Sequence, residues 1–551
     1  MSRTPLALAA LLVVVSWIIG RVAGAQAVLG PGDDATVLPR GVARLRASGI
    51  WTRFDSRYGG GAAAAAEPLG ADFNIDSIGS TQIETLGPLQ SVLRSLSGRP
   101  ALNVSLGRTV VTLDAEVTTV PLVAELGLSS RLTVGVLVPF VRTRTTVVLR
   151  ANPAPSDPNL GLNPALDDPT AAQVNQEFLA ALANAEGALA DSLAACPESG
   201  SARCAEFAAL SPTVRSLLAG LGAVYVETDT SGFFVPIAGT DLDAALRARL
   251  GAIVGQLNAL GFDQITSDLG PVAASRAILQ ADAQRILTEP RFGFATDELA
   301  TVTRTNIGDV EVGAKLQLVN TLRGAARLTP HGVNVRAAVG AVVRLGTGSP
   351  DSPNNLVDIG TGQGQTDVEL RSQWDVLLGR RFWMTIAGRY AWQLADEQLM
   401  RITPSDRPLA LAYRRQRVSR DLGDYVELEA SPRWALGRYF AAGAQYLYRS
   451  KAADRHTGTF AAKPPVGSEV TLDASVLDAE TSERQHRVAV GVSYSTLAAN
   501  ASGRGRLPLE ISYQHWWPVS GAGGRTPRAA RDVVQLRVYT SLFGGGRRAV
   551  H

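Results

Sequence analysis

The chain has 551 residues, with 53 basic and 50 acidic side chains and a formal net charge of +3. So small a net charge on so long a chain points away from a nucleic-acid partner. Mean hydropathy is +0.07, a value that alternating membrane strands share with soluble proteins, because each lipid-facing residue is followed by a lumenal one.

The N terminus reads as an export signal. Arg3 precedes an apolar run from Leu6 to Ile19, and Ala25-Gln26-Ala27 is a small-x-small cleavage site. The run is short for a spanning anchor, so residues 1–27 are expected to be removed. No cysteine lies nearby to carry a lipid. Beyond residue 27 we find no apolar run long enough to span as a helix.

About twelve strands follow, an even number as in bacterial barrels. The first is expected over Val42 to Phe54, with Leu45 and Trp51 turned out and Arg44, Arg46 and Ser48 turned in. The second and third lie near Thr109 to Leu126 and Leu132 to Leu149. The fourth, Asp309 to Val319, shows the pattern best. Val310, Val312, Ala314, Leu316 and Leu318 share one face, and Asp309, Glu311, Lys315 and Gln317 the other. Further strands are expected over Val333 to Leu345, Thr366 to Leu377, Phe382 to Leu394, Tyr425 to Trp434, Tyr439 to Arg449, Gln485 to Tyr494, Leu509 to Trp517 and Val533 to Phe543.

Short connections alternate with long ones, which sets an orientation: short turns in the periplasm, long loops outside, and both chain ends in the periplasm. Seven tryptophans, among them Trp383, Trp434, Trp516 and Trp517, fall in the strands, mostly near their ends, as interfacial girdles require.

The segment 151–303 breaks the pattern. It is too long for an ordinary connection. Val174, Phe178, Leu182, Ala185 and Leu189 have helical spacing, as do Leu242, Leu246, Leu250, Ile253, Leu257 and Leu260. A weaker run follows from Val272 to Leu287. Strand parity puts this insertion outside the cell, where it caps the pore, enters it or stands apart. Its two cysteines, Cys196 and Cys204, are the only ones in the chain. In an oxidising compartment they should form a local disulfide stapling the turn after the first helix, and a metal site would need more ligands. The expected organisation is a signal peptide (1–27), strands 1–3 with the first outer loop (28–150), the helical insertion (151–303), and strands 4–12 with a short tail (304–551). The fold class is an antiparallel outer-membrane β-barrel with a large helical extracellular insertion.

Four even-numbered strands carry acid-x-acid pairs: Asp114 and Glu116, Asp309 and Glu311, Asp367 and Glu369, Glu427 and Glu429. A spacing of two puts both carboxylates on one face, taken as the lumenal one. Lys315, Arg336, Arg371, Arg389 and Arg537 share that face, with Arg44, Arg46, Arg344, Arg433 and Arg487. Opposite charges on neighbouring strands should pair. The pairs either fill and stiffen the lumen or form a charged constriction that selects solutes, and both can hold at once. The enzyme case rests on little. None of the five histidines has a serine two residues away, the spacing a nucleophile and base on one strand face would need. His486, His515 and Ser512 alone come near one another on adjacent strands. Metal clusters and phosphate-cradling glycine loops are not seen.

Certain motifs resemble a known family. Glu125-Leu126-Gly127-Leu128, Arg131-Leu132-Thr133 and Val138-Pro139-Phe140 resemble a strand-turn-strand of the phenol-degradation (meta-pathway) outer-membrane family. Ile307-Gly308-Asp309-Val310-Glu311-Val312-Gly313-Ala314-Lys315 resembles its Gly-Asp strand, and Gly346-Thr347-Gly348 its next outer turn. The resemblance covers the strands, about two thirds of the chain, and the helical insertion departs from it. It implies transport of small, often aromatic or hydrophobic compounds. Fatty-acid transporters are a related group, but Val28 to Arg40 leaves little room for their N-terminal hatch. The expected function is a passive outer-membrane channel for small molecules, with no cofactor, metal or catalytic residue. Its expected partners are outer-membrane lipid, the barrel-assembly machinery and a small solute. The alternatives are a non-transporting barrel that displays its helical lobe and, third, an outer-membrane hydrolase.

Overall fold

Period-two alternation has a structural consequence here: the alternating segments pair into a single sheet that closes on itself. The computed structural model describes residues 33–542 apart from 60–64, 198–200, 228–231, 263–264, 266–269, 323–330, 406, 466 and 498–506. The segment expected to be a signal sequence and the last residues, His551 included, lie outside the described residues.

The wall begins with β1 (Val42–Phe54), β2 (Thr109–Gly127) and β3 (Leu132–Ala151). β4 is a single pass in two pieces, Val302–Ile307 and Val310–Asn320, broken at Gly308-Asp309. Both pieces pair with β3, and only the second reaches β5. Then come β5 (Val333–Leu345), β6 (Asp367–Leu378), β7 (Phe382–Gln393), β8 (Tyr425–Ala435) and β9 (Phe440–Lys451). β10 (Glu483–Ser495), β11 (Leu509–Ala522) and β12 (Ala530–Ser541) complete it. Every neighbouring pair is antiparallel, and β1 bonds to both β2 and β12. Closure leaves no strand edge, the condition for strands in lipid.

Outward positions are apolar through the middle of the wall, as at Leu316, Leu370, Ile386, Leu428 and Val490, all exposed. Trp51, Trp374, Trp392, Trp434 and Trp517 are exposed on the same surface. Trp383 and Trp516 are not girdle residues. Trp383 pairs with Leu377 and Arg433, and Trp516 with Ala489 and Arg531, all on inward registers. Nearness to a strand end does not decide the face.

The long connections build an outer lobe. Its helices are α1 (Leu86–Ser97), α2 (Pro169–Ala194), α3 (Ala202–Tyr225), α4 (Asp241–Ala259) and α5 (Gln280–Thr288). α2 starts where Asp168 accepts a bond from Thr170 N (2.9 Å), with Pro169 as first helical residue. α1 stops at Gly98, whose φ of 68° needs a residue without a Cβ. α1 comes from the first outer loop, so the lobe contains more than the insertion. α3, contrary to expectation, is long and apolar enough to cross a membrane by length and composition. It packs inside the lobe, with Phe207, Val214, Leu217 and Leu221 buried. One continuous apolar core joins α1–α5 to the wall through Val111, Leu113 and Leu149, and to other outer connections through Val357 and Leu411. The insertion therefore neither stands apart nor hangs on a flexible stalk. Two connections expected as loops contain further strands: Asp396–Arg401, Arg415–Asp421 and Arg455–Thr457 form one small sheet, and Thr459–Ala462 pairs with Val470–Asp473.

Cys196, just past the end of α2, and Cys204, in the first turn of α3, are bonded, eight residues apart. A bridge closing so short a loop restrains mainly local chain entropy, roughly 2–3 kcal/mol. Replacing both cysteines with serine should speed amide exchange around the α2–α3 turn. Heat-modifiable migration on gels, the mark of a closed barrel, should be unchanged. Loss of that migration would show that the lobe and barrel fold as one unit.

Candidate functional site

Strand parity sends two tiers of charge into the lumen. The outer tier is a chain of cross-strand pairs. Arg344 reaches Glu311 and Asp367, each at 2.9 Å. Arg371 pairs with Glu369 and lies 3.6 Å from Glu311. Tyr425 donates its hydroxyl to Glu369 at 2.7 Å. Arg389 spans Glu427 and Glu429, both at 3.0 Å, and Arg449 approaches Glu427 at 3.3 Å. Arg449 also lies over the Tyr425 ring, 4.2 Å from its centre. Each carboxylate serves at least one guanidinium, which offsets the cost of holding charge inside the wall.

The inner tier surrounds a stretch of chain. Asp33 to Thr36 crosses the inner end of the lumen before Leu38 anchors against Val42, Leu497 and Tyr539. Lys315 Nζ donates to an Asp33 carboxylate oxygen and to the Asp34 carbonyl, both at 2.8 Å. Gln373 donates to the other Asp33 oxygen at 2.9 Å. Ala35 N donates to Asp375 at 3.1 Å, and Gln317 donates to the Ala35 carbonyl at 2.9 Å. Arg336 meets Asp375 at 2.8 Å, Arg44 meets Glu125 through a forked pair, and Arg537 lies 3.6 Å from Glu510. Between the tiers is a cavity of about 570 Å³, lined by Asp33, Arg44, Glu125, Lys315 and Arg371 among others.

The wall brings Glu311, Lys315, Asp367, Glu369, Arg371, Arg389, Glu427 and Glu429 together around that lumen, with Arg336 and Arg537 in the inner tier. Asp309 lies at the outer rim, where its carboxylate accepts from Gly348 N and Gln363 N, both at 2.8 Å, and fastens the 346–366 connection. Asp114 and Glu116 are corrected: both are exposed on the outer surface, and Glu116 pairs with exposed Arg53 at 3.4 Å. At that height Val111, Leu113 and Ala115 point inward and are buried. The spacing put both acids on one face, but above the bilayer the wet face is the outer one.

Sequence reasoning missed the segment from Asp33 to Thr36. A stretch judged short for a hatch is long enough to cross the inner end of the lumen. Two adjacent acids so close to the first strand were the available signal. On the outer wall, His515 Nδ1 and the Tyr513 hydroxyl both bond Asp532, at 2.7 and 2.8 Å. His486 Nδ1 meets the Tyr446 hydroxyl at 2.7 Å. Ser512 is buried on the lumenal register, facing away from both histidines. Among the described residues no group of three or more His, Cys, Asp or Glu could hold a metal ion.

No family model and no curated protein matches the sequence. Among solved structures, an outer-membrane channel from Pseudomonas putida F1 aligns over 93% of this chain and 99% of its own, at 10% identity and a TM-score of 0.39. The Pseudomonas putida toluene transporter TodX aligns over 92% and 90%, at 9% identity and a TM-score of 0.22. A Pseudomonas aeruginosa FadL homologue aligns over 91% and 90%, at 8% identity and a TM-score of 0.24. Likeness this loose assigns no cargo, and the barrel rests on its own strand pairing.

Proposed function

We propose that the chain is an outer-membrane channel for passive diffusion of small molecules. The observation that carries this reading is the charged cavity of about 570 Å³ inside a closed, apolar-walled barrel. A lumen built only for stiffness would be filled by its side chains, as in narrower barrels. The resemblance to the phenol-degradation family suggests small aromatic or hydrophobic compounds, and the charged lining favours those that also carry a polar group. Lipid of the outer membrane and the barrel-assembly machinery are the partners this reading requires. The outer lobe, with a core continuous with the wall, favours display of a binding module as the second reading.

Planar-bilayer recording tests the channel. The full-length protein should give small openings. Replacing Glu311 and Glu427 with glutamine should shift the reversal potential towards anions, because lumenal carboxylates favour cations. Silence from the wild type and from a variant with Asp33 to Thr36 changed to glycine, both heat-modifiable, would remove the channel reading and leave display in front.

A further inference from the structure

The cations of the inner tier outnumber the carboxylates the wall gives them. Arg336 faces Asp375, and Arg537 faces Glu510. The ion pair of Lys315 is with Asp33, from the N-terminal segment. Arg433 has no ion pair among the described residues. It is 1% exposed and among the largest fully buried side chains of the described residues. Its Nη2 donates only to the Asp33 carbonyl, at 3.2 Å, and its Nε and Nη1 have no hydrogen-bond partner among the described residues. Its unused donors lie on different edges of the guanidinium, Nε beside Nη2 and Nη1 at the end away from Nε–H, so two separate carboxylate oxygens can each take one.

The chain offers a carboxylate and stops short. Asp34 lies among Lys315, Arg433, Arg336 and Arg537, its electrostatic neighbours. Yet among the described residues its carboxylate is bonded only by its own Thr36, through the backbone N at 2.9 Å and the hydroxyl. Asp33 does better: Lys315 and Gln373 each hold one of its oxygens, and Arg371 and Arg389 are its further cationic neighbours. Two carboxylates on adjacent residues therefore fill a site made of wall residues, one well and one poorly. Only Ala35 and then Leu38 are buried apolar residues of this stretch, so mainly polar contacts hold Asp33 and Asp34 in place.

We propose that the inner tier is a binding site for a small dicarboxylate, with Lys315, Gln373 and Arg433 as its principal donors. Asp33 and Asp34 are its tethered stand-ins, and an entering dicarboxylate displaces the segment and opens the inner end. This rests on the channel reading and names its solute class and its gate. A short tether gives the stand-ins an effective concentration of about millimolar order, so a free competitor acts in that range.

The test uses the full-length protein in planar bilayers, with succinate as probe and succinamide as the uncharged control. Millimolar succinate should raise the open probability of the wild type, and succinamide should not. Asp33→Asn with Asp34→Asn should raise chloride current by at least about tenfold, since buried charge contacts are lost. That current should be anion-selective and should fall when succinate occupies the vacated site. Arg433→Met, checked for heat-modifiable migration, should abolish the succinate response. If the double variant opens without anion selectivity, or succinate acts no differently from succinamide, the dicarboxylate site is overturned and the channel stands. If neither the wild type, the double variant nor the glycine-segment variant conducts, the channel reading fails and takes this one with it.

Discussion

Replacing Arg401 with alanine should loosen the outer lobe across three connections while the barrel stays closed. Arg401 is 8% exposed, at the end of the strand Asp396–Arg401. Its guanidinium donates to the carbonyls of Pro353 (2.7 Å), Phe294 (2.8 Å), Ala410 (2.6 Å) and Ala295 (3.1 Å), and to the Asn354 side chain (3.3 Å). Among the described residues no carboxylate is bonded to it, and Asp297 acts on it only through space. Burial, with Arg415 nearby, lowers the guanidinium to about 10, so it stays charged at neutral pH. One side chain thus satisfies carbonyls from the end of the insertion, from the 346–366 connection and from the 403–423 connection. Hydrogen bonds from a charged donor contribute about 1.5–3 kcal/mol each, and orphaned buried carbonyls cost more. Even with strong non-additivity the cap should lose about 3 kcal/mol or more. Lysine should not rescue it, because a single ammonium cannot reproduce the planar fork. Hydrogen exchange at residues 294–299, 353–358 and 409–411 reads the effect. Protection equal to wild type at those amides would contradict it.

The barrel wall was readable because alternation is a local property: each strand carries its own record of two environments. Val333–Leu345, for instance, begins and ends where its pattern does. The meaning of the two faces is not local. Through the bilayer, apolar means outward. At the outer end of β2 the lobe core lies inside and water outside, so Asp114 and Glu116 keep their spacing and reverse their meaning. α3 was missed for a related reason, since apolar residues lie around most of its circumference and leave no stripe to find. The inner tier was hidden by distance. Asp33 meets Lys315 across 282 positions of chain and Arg433 across 400, and no period in a sequence carries such a contact. Helix α1 and the small outer sheet were overlooked inside segments that loop length alone marks as connections.

The 346–366 connection should be held more tightly at acid pH than at neutral pH. Asp358 receives Ser352 N on both carboxylate oxygens at 3.2 Å and pairs with Arg304 at 2.6 Å, with its side chain 1% exposed. Burial raises its carboxyl to about 6, against the opposing pull of Ser352 N and Arg304, and Asp351 and Asp297 push the same way as burial. Asp351 is itself raised by burial. In the open connection the carboxyl returns to its ordinary value of about 3.9. Between those values the closed connection binds a proton that the open one does not, so its stability falls as pH rises. The contribution is complete below about pH 4 and lost above about pH 6. A shift of about two units corresponds to roughly 3 kcal/mol at most. Asp358→Asn cannot ionise, so its exchange, corrected for intrinsic rates, should be flat between pH 5 and 7.5, where wild type loses protection. Wild-type protection that grew from pH 5 to 7.5 would reverse the sign and refute the assignment. The consequence reaches the pore, because the same connection presents Gln363 to the cavity and is fastened to the rim by Asp309. Acid should keep that rim closed, and an Asp358→Asn channel should lose the pH dependence of its conductance along with that of its loop.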